Sequence, residues 1–132
     1  MTSVADASIV VAALLSEHGG AARTRLAAEP ELHVPHLMDL EVLSALRVLH
    51  RNGSLSEHGA RQARTKLGLL PLRRYPHGSL LSRVWELRDN LTVYGAAYVS
   101  LAEALDAPLL TADARLARAP GVRCQVELIA GT

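Results

Sequence analysis

Short apolar segments alternate along the chain with longer amphipathic ones. Five of the short segments have the length and the β-prone or apolar composition of strands. They are Thr2–Asp6, Leu32–Val34, Leu69–Leu72, Pro108–Thr111 and Gln125–Ile129. Each is bounded by Gly, Pro or a polar residue, so the pattern predicts five separate short strands.

Between these strands, apolar residues recur at the spacing of helices. The predicted helices are Ile9–Leu15 (ending near Gly19 and Gly20), Ala21–Ala28, His36 to the stop at Asn52 and Gly53, Ser56–Leu67, Gly78–Arg88, Val93–Leu105 with Thr92 as N-cap, and Ala114–Ala117. Short strands separated by helices are typical of a parallel sheet covered on both faces. We therefore expect a three-layer α/β/α sandwich with a central, mainly parallel, five-stranded sheet.

Composition places the chain among globular proteins. Of its 132 residues, 49% are hydrophobic and 20% are charged, and no internal repeat or linker interrupts them, so residues 1–132 are expected to form a single domain. The longest apolar run, Ser8–Leu15, is too short to span a membrane. A lone Cys124 excludes an intrachain disulfide and fits a reducing, cytoplasmic setting, which we expect for this protein.

The basic residues exclude several chemistries. Lys66 is the only lysine, and no Gly-Lys-Ser/Thr sequence is present, so the chain has no phosphate-binding P-loop. With 14 basic and 13 acidic side chains, the net charge of +1 does not by itself indicate a nucleic-acid binder. No histidine pair has zinc-hydrolase spacing, and no serine has the context of a hydrolase nucleophile.

Three acidic residues stand out by position. Asp6 and Asp113 each follow a predicted strand, and Glu41 interrupts the most apolar helix. Because ligands bind beyond the carboxyl ends of parallel strands, the two aspartates are expected at the same edge of the sheet. Three converging carboxylates are an oxygen-ligand site for Mg²⁺ or Mn²⁺.

Each acid also has an ordinary structural explanation. An aspartate after a strand is often the N-cap of the next helix, and Glu41 could lie at its helix margin beside Arg47 or Arg51. Most arginines are expected on solvated helix faces, but arginines near the acidic edge, with Arg47 and Arg115 as candidates, could hold a phosphate backbone.

Four segments together resemble the PIN-domain ribonucleases, and specifically the VapC toxins of type II toxin-antitoxin systems. They are Val4–Leu14, Val34–Arg47, Leu91–Tyr98 and Leu109–Ala117, so the resemblance spans nearly the whole chain. It implies a metal-dependent endoribonuclease that cleaves RNA, forms a dimer and is held inactive by a VapB antitoxin. It also implies that Asp6, Glu41 and Asp113 are catalytic metal-binding acids and that Ser8 and Thr111 support them.

One position departs from the family pattern, which has an aspartate where this chain has Gly95. With Thr92 as N-cap, residue 95 is the third helical position, where an acid favours the helix dipole and Gly costs up to roughly 1 kcal/mol relative to Ala. The departure predicts one strong cation site rather than two, and attenuated or absent activity.

Two other classes of protein share part of this pattern. Haloacid-dehalogenase-type phosphatases and receiver domains also have an aspartate after the first strand, but both need a strand-end lysine that this chain lacks. A non-catalytic PIN-fold module that binds an antitoxin or RNA remains an alternative, favoured by Gly95. In the third predicted helix, the surplus of apolar residues at Leu43, Leu46, Val48 and Leu49 predicts an exposed stripe that needs a partner.

Overall fold

Five parallel strands form the central sheet of the protein, whose computed structural model describes residues 2–16 and 20–129. The strands are β1 (Ser3–Ala5), β2 (Leu32–Pro35), β3 (Leu72–Tyr75), β4 (Leu109–Thr111) and β5 (Val126–Leu128). They lie in the order β3-β2-β1-β4-β5, and every neighbouring pair is parallel. The sheet was predicted to be mainly parallel, and it is wholly parallel.

Seven helices surround this sheet in the described residues. They are α1 (Ala7–Leu15), α2 (Ala21–Ala27), α3 (Met38–Arg51), α4 (Glu57–Leu69), α5 (Leu81–Glu86), α6 (Val93–Ala104) and α7 (Ala114–Ala117), with a 3-10 turn at Gly78–Leu80. Gly19, where the first helix was expected to end, lies outside the described residues. None of the helices in residues 2–16 and 20–129 has the length and apolar content needed to cross a membrane.

The connections place helices on both faces of the sheet. From β1 the chain moves outward to β2 and β3, and it then returns past β1 to β4 and β5. Because parallel crossovers are right-handed, the reversal of direction moves the later helices to the opposite face. The contacts agree, since α1 packs on α2, α3 and α4, whereas α5 packs on α6. The expected three-layer α/β/α sandwich is confirmed.

The reversal creates a switch point between β1 and β4, at the centre of the sheet. Val4 and Ala5 are in register with Leu109 and Leu110, and all four are fully buried. At such a switch point the two loops leave the sheet in opposite directions and open a crevice beyond the carboxyl ends of the strands. Asp6 and Asp113 follow these two central strands.

Two predicted boundaries are wrong. The third strand was expected at Leu69–Leu72, but α4 continues to Leu69 and the strand begins at Leu72. It is an edge strand in which Arg73 and Arg74 are both exposed, so it lacks the apolar run that predicted the other strands. The segment Gly78–Arg88, expected to be one helix, is a 3-10 turn followed by the short α5.

Candidate active site

Asp6 occupies the end of β1 as a buried carboxylate with three hydrogen-bond donors. Its Oδ1 accepts the Ile9 N–H at 3.1 Å, which caps α1, and the Ser8 hydroxyl at 2.6 Å. Its Oδ2 accepts the Thr111 hydroxyl at 2.5 Å. Only 4% of the residue is exposed. The expected capping role is therefore present, but two further hydroxyl groups also hold this carboxylate.

Ser8 and Thr111 tie the two central strands together at this edge. Their hydroxyl oxygens are 3.2 Å apart. Ser8 Oγ also accepts the Ala112 N–H at 2.9 Å, and Thr111 Oγ1 accepts the Asp113 N–H at 2.9 Å. The loops after β1 and β4 are thus fixed to each other through side chains that both contact Asp6.

Burial dominates the electrostatics of Asp6. It raises the pKa of this carboxyl above its usual value, because the charged form is poorly solvated, and nearby Asp113 raises it further. Hydrogen bonds from Ser8, Thr111 and the Ile9 N–H act in the opposite direction without cancelling the effect. The carboxylate is therefore well oriented but short of positive charge.

Asp113 lies at the start of α7 and is more accessible. Its Oδ1 accepts the Arg115 N–H at 2.9 Å, so the predicted N-cap role is confirmed. The Arg115 Nε lies 3.4 Å from the same oxygen, and 89% of that side chain is exposed, compared with 34% for Asp113. The second Asp113 oxygen has no hydrogen bond among the described residues. Arg115 is thus an exposed cation beside Asp113.

Glu41 enters the same region from α3. Its Oε1 accepts the Tyr98 hydroxyl of α6 at 2.5 Å. Partial burial raises the pKa of Glu41, the Tyr98 hydrogen bond lowers it, and the charge of Asp6 raises it. The alternative that Arg47 or Arg51 pairs with Glu41 is wrong, because neither forms an ion pair with it in the described structure.

Sequence reasoning missed Tyr98. The residue lies within the Leu91–Tyr98 segment but was given no role. A signal was present, since it is a large phenol in a helix of small residues, directly after Ala96 and Ala97, and buried phenols need a hydrogen-bond partner. What could not be read from the sequence is that the partner would be Glu41, 57 positions away.

The donor chemistry of this edge fits a hard divalent cation. Asp6 and Glu41 are close enough for the charge of one to raise the pKa of the other, and neither forms an ion pair with a described basic residue. Carboxylate and hydroxyl oxygens are the ligands that Mg²⁺ and Mn²⁺ prefer. However, no three His, Cys, Asp or Glu side chains in residues 2–16 and 20–129 form a ready-made metal cluster. Asp6, Glu41 and Asp113 share a region, but they do not form a closed set of ligands.

Gly95 lies where the sequence predicted. Thr92 caps α6, with its Oγ1 accepting the Gly95 N–H at 3.0 Å, which places Gly95 at the third helical position. A Cβ atom at this residue would be 3.2 Å from Thr92 Oγ1 and 3.9 Å from Leu116 Cδ1 of α7. Gly95 also precedes Tyr98 by three residues and so shares its helix face. Position 95 thus borders the helix that begins after Asp113.

Arg47 lies on a different face of α3 from Glu41. It is exposed on α3, six residues after Glu41. Positions six apart on a helix are separated by about 120° around its axis, so the two side chains lie on different faces. That Arg47 binds RNA stays a prediction.

An open groove of about 530 Å³ runs from Glu41 along α3 to the start of α6. Three of its lining residues are largely exposed apolar or aromatic side chains: Leu40, Val48 and Tyr94. Leu43 is also exposed, as predicted, but Leu46 was wrongly placed in the exposed stripe, because only 3% of it is exposed and it packs in the core.

Comparison with known proteins places these features in a family. Residues 3–122 match the PIN domain family. The chain is 46% identical to ribonuclease VapC1 of Mycobacterium tuberculosis over 128 residues, covering 96% of each protein. It is 44% identical to ribonuclease VapC9 of the same species, covering 96% of this chain and 97% of that protein. The crystal structure of VapBC2 from Rickettsia felis, bound to a promoter DNA fragment, has the same fold, with a TM-score of 0.69 at 16% identity, covering 98% of this chain and 99% of the other.

Proposed function

The chain belongs to the VapC family of PIN-domain proteins, and from this premise we propose that it is the ribonuclease toxin of a type II toxin-antitoxin system. It hydrolyses RNA phosphodiester bonds at the edge formed by Asp6, Glu41 and Asp113, using Mg²⁺ or Mn²⁺. The observation that carries the proposal is the buried Asp6 carboxylate at the switch point, held by two hydroxyl groups and without a basic partner among the described residues. An aspartate that only caps a helix would need neither the burial nor the two hydroxyl hydrogen bonds.

The residues of the site have distinct tasks. Ser8 and Thr111 fix both oxygens of Asp6, so its orientation does not have to be created when a cation arrives. Glu41 and Asp113 supply further carboxylate oxygens from α3 and from the start of α7. When bound, Mg²⁺ or Mn²⁺ would supply Lewis-acid activation of the phosphodiester and of the attacking water. Arg115 contacts a neighbouring phosphate of the RNA, since its guanidinium is exposed beside the acids.

Gly95 stands in place of a family aspartate and reduces the activity. Three carboxylates carry enough negative charge to hold one divalent cation, but they lack part of the charge that a second cation would need. The missing carboxylate at position 95 also supports a second candidate function. In that candidate the chain is a PIN-fold module that binds an antitoxin or RNA without cleaving it.

We assign two protein partners on the same basis. The first is a VapB-type antitoxin, because this fold also occurs in VapBC2 of Rickettsia felis and in a toxin-antitoxin complex from Klebsiella pneumoniae. The second is another copy of the chain, because exposed apolar residues of α3 lie beside the acidic edge. The toxin acts as one PIN domain, residues 1–132, in the cytoplasm, where RNA and the antitoxin are both available.

The test is RNA cleavage by the purified chain, titrated with Mn²⁺ or Mg²⁺ and repeated in EDTA. We expect weak cleavage that requires the cation and is abolished in Asp6→Asn. The matched control is Asp106→Asn, because Asp106 is exposed and has a φ of 51°, a conformation that Asn tolerates well. Cation-independent cleavage would contradict the mechanism, and antitoxin binding without any cleavage would favour the non-catalytic module.

A further inference from the structure

The Tyr98 hydroxyl connects helices that lie on opposite faces of the sheet. Tyr98 belongs to α6, which packs on β1, β2 and β4, whereas Glu41 belongs to α3, which packs on α1 and α4. The bond between them therefore joins the two outer layers of the sandwich. It does so at the carboxyl edge of the sheet, where Asp6 lies.

Core packing holds the ring of Tyr98 in place, whereas the side chain of Glu41 is free to rotate. Only 2% of Tyr98 is exposed, and it is part of the hydrophobic core. Glu41 has three rotatable side-chain bonds and lines the open groove, so nothing in its own helix restricts its carboxylate to the side of Asp6. A fixed donor can select one arrangement of such a mobile carboxylate.

We propose that Tyr98 is a positioning residue, whose hydroxyl holds the Glu41 carboxylate beside Asp6 so that both can bind one divalent cation. The proposal rests on the proposed function, since it assigns Glu41 to the cation site. Tyr98 itself touches neither the cation nor the RNA. Its hydroxyl occupies one lone pair of Glu41 Oε1 and leaves Oε2 and the remaining lone pair of Oε1 for the cation.

The decisive variant is Tyr98→Phe, which removes one oxygen atom and keeps the buried ring. The probe is Mn²⁺ alone, measured by calorimetry. Partners that orient a metal ligand are typically worth about 10- to 100-fold in metal affinity, and we expect a weakening in this range. In RNA cleavage, the Mn²⁺ concentration for half-maximal rate should rise by a similar factor, while kcat at saturating Mn²⁺ stays close to that of the parent.

Tyr75→Phe is the matched control. The Tyr75 hydroxyl forms a 2.6 Å hydrogen bond with His33 Nδ1 between β2 and β3, so the variant also removes one partly buried tyrosine hydrogen bond. It should leave the Mn²⁺ affinity unchanged. If Tyr75→Phe weakens Mn²⁺ binding as much as Tyr98→Phe does, the effect is a general loss of stability and the proposal is overturned.

A second readout needs no metal. In EDTA, the carbon-13 chemical shift of the Glu41 carboxyl should change in Tyr98→Phe and stay parent-like in Tyr75→Phe, because only the first variant deletes the hydrogen bond that Glu41 Oε1 accepts. An unchanged Glu41 carboxyl shift, or a parent-like Mn²⁺ affinity, in Tyr98→Phe would overturn the role of Tyr98. If the parent fails to bind Mn²⁺ but the Glu41 shift changes as expected, the proposed function and the metal role of Tyr98 are both overturned, while the hydrogen bond itself is established.

Discussion

At the residue scale, the acidic edge places two carboxylates where burial disfavours their charged forms, which a bound cation of the proposed site would offset. Asp6 is buried and Glu41 is partly buried. The two carboxyls lie near each other, and burial raises the pKa of both. Surface carboxylates of the same chain are treated differently, as in Asp39, which accepts two hydrogen bonds from Arg74 at 2.6 and 3.0 Å. Uncompensated acids in a crevice are a sign of function rather than of stability.

This imbalance predicts a pH dependence for the metal-free protein. Because the folded state binds the protons of Asp6 and Glu41 more tightly than the unfolded state does, the free energy of unfolding should fall as pH rises from their ordinary pKa values, 3.8 and 4.5, through the raised ones. Above the raised values it should stay low. Asp6→Asn should show a smaller fall in the free energy of unfolding, because its side chain does not ionise. The variant should therefore be more stable than the parent at pH 7.

The measurement is urea unfolding in EDTA between pH 4 and about pH 8, with Asp106→Asn as control. Asn can still accept the Ile9 N–H and the Ser8 hydroxyl through its amide oxygen, so the helix cap should survive. A variant that is less stable than the parent at pH 7 would contradict the idea that Asp6 is an electrostatic burden.

The second prediction at this scale concerns Gly95→Asp. The new Cβ is 3.2 Å from Thr92 Oγ1, a contact that a small movement of the Thr92 side chain relieves. Replacing Gly in a helix gains up to about 1 kcal/mol, and an acid in the first turn adds to this. We expect tighter Mn²⁺ binding and faster RNA cleavage than in the parent.

Repulsion among four carboxylates opposes this gain in the metal-free protein, so the rise in melting temperature should be clear only with Mn²⁺ or Mg²⁺ present. Gly95→Ala separates the contributions, since it gains helix propensity without a carboxylate. Equal cleavage rates for the Asp and Ala variants across a metal titration would mean that position 95 does not contribute a missing ligand.

At the scale of elements, the start of α3 depends on a contact from outside the helix. Leu37, its N-cap residue, has no side chain that can cap, and its N–H is accepted instead by His77 Nε2 at 3.1 Å. The Leu37 carbonyl accepts the Glu41 N–H at 3.0 Å, so this first turn carries the candidate ligand. The segment after β3 thus secures the helix that supplies Glu41.

His77→Ala should therefore destabilise the protein by about 1 kcal/mol, the usual cost of losing a cap hydrogen bond. Thermal unfolding measures the effect, with His58→Ala on the exposed side of α4 as the comparison. The two variants should differ clearly in melting temperature. If they unfold at the same temperature, the His77 contact does not support α3.

At the scale of the whole molecule, the exposed apolar residues need an explanation beyond the isolated chain. Leu40 and Val48 of α3 and Tyr94 of α6 are 71%, 55% and 61% exposed, and all three line the groove that begins at Glu41. An apolar surface next to a charged edge is typical of an interface. A second copy on this surface would bring two acidic edges near each other.

We expect light scattering to give the mass of two chains at micromolar concentration and the mass of one chain for Val48→Glu. Charge buried in an apolar interface is costly, which is why this single change should separate the copies. Leu69→Glu on α4 is the control, since Leu69 is 79% exposed and does not line this groove. A parent that is monomeric at this concentration would remove the dimer from the proposal.

The sequence by itself determined the elements and the acids. Apolar segments of strand length predicted four of the five strands within about two residues, Thr92 was recognised as a cap, and Asp6 and Asp113 followed from the rule that parallel strands end at one edge. These features depend on local propensity and on periodicity, which are properties of residues close together in the sequence. Strand β3 was missed because the consecutive Arg73 and Arg74 are both exposed, so it lacks the apolar run by which the other strands were predicted.

Only the tertiary structure decided which side chains meet. The contacts of Glu41 with Tyr98 and of Leu37 with His77 join residues 57 and 40 positions apart, and the two hydroxyls on Asp6 come from β4 and α1. Such pairs depend on how the layers pack, because many side chains could satisfy each donor or acceptor. The sequence alone does not indicate which of them will be the partner. The same packing buried Leu46, since the face a helix presents to the core is set by its neighbours as well as by its own pattern.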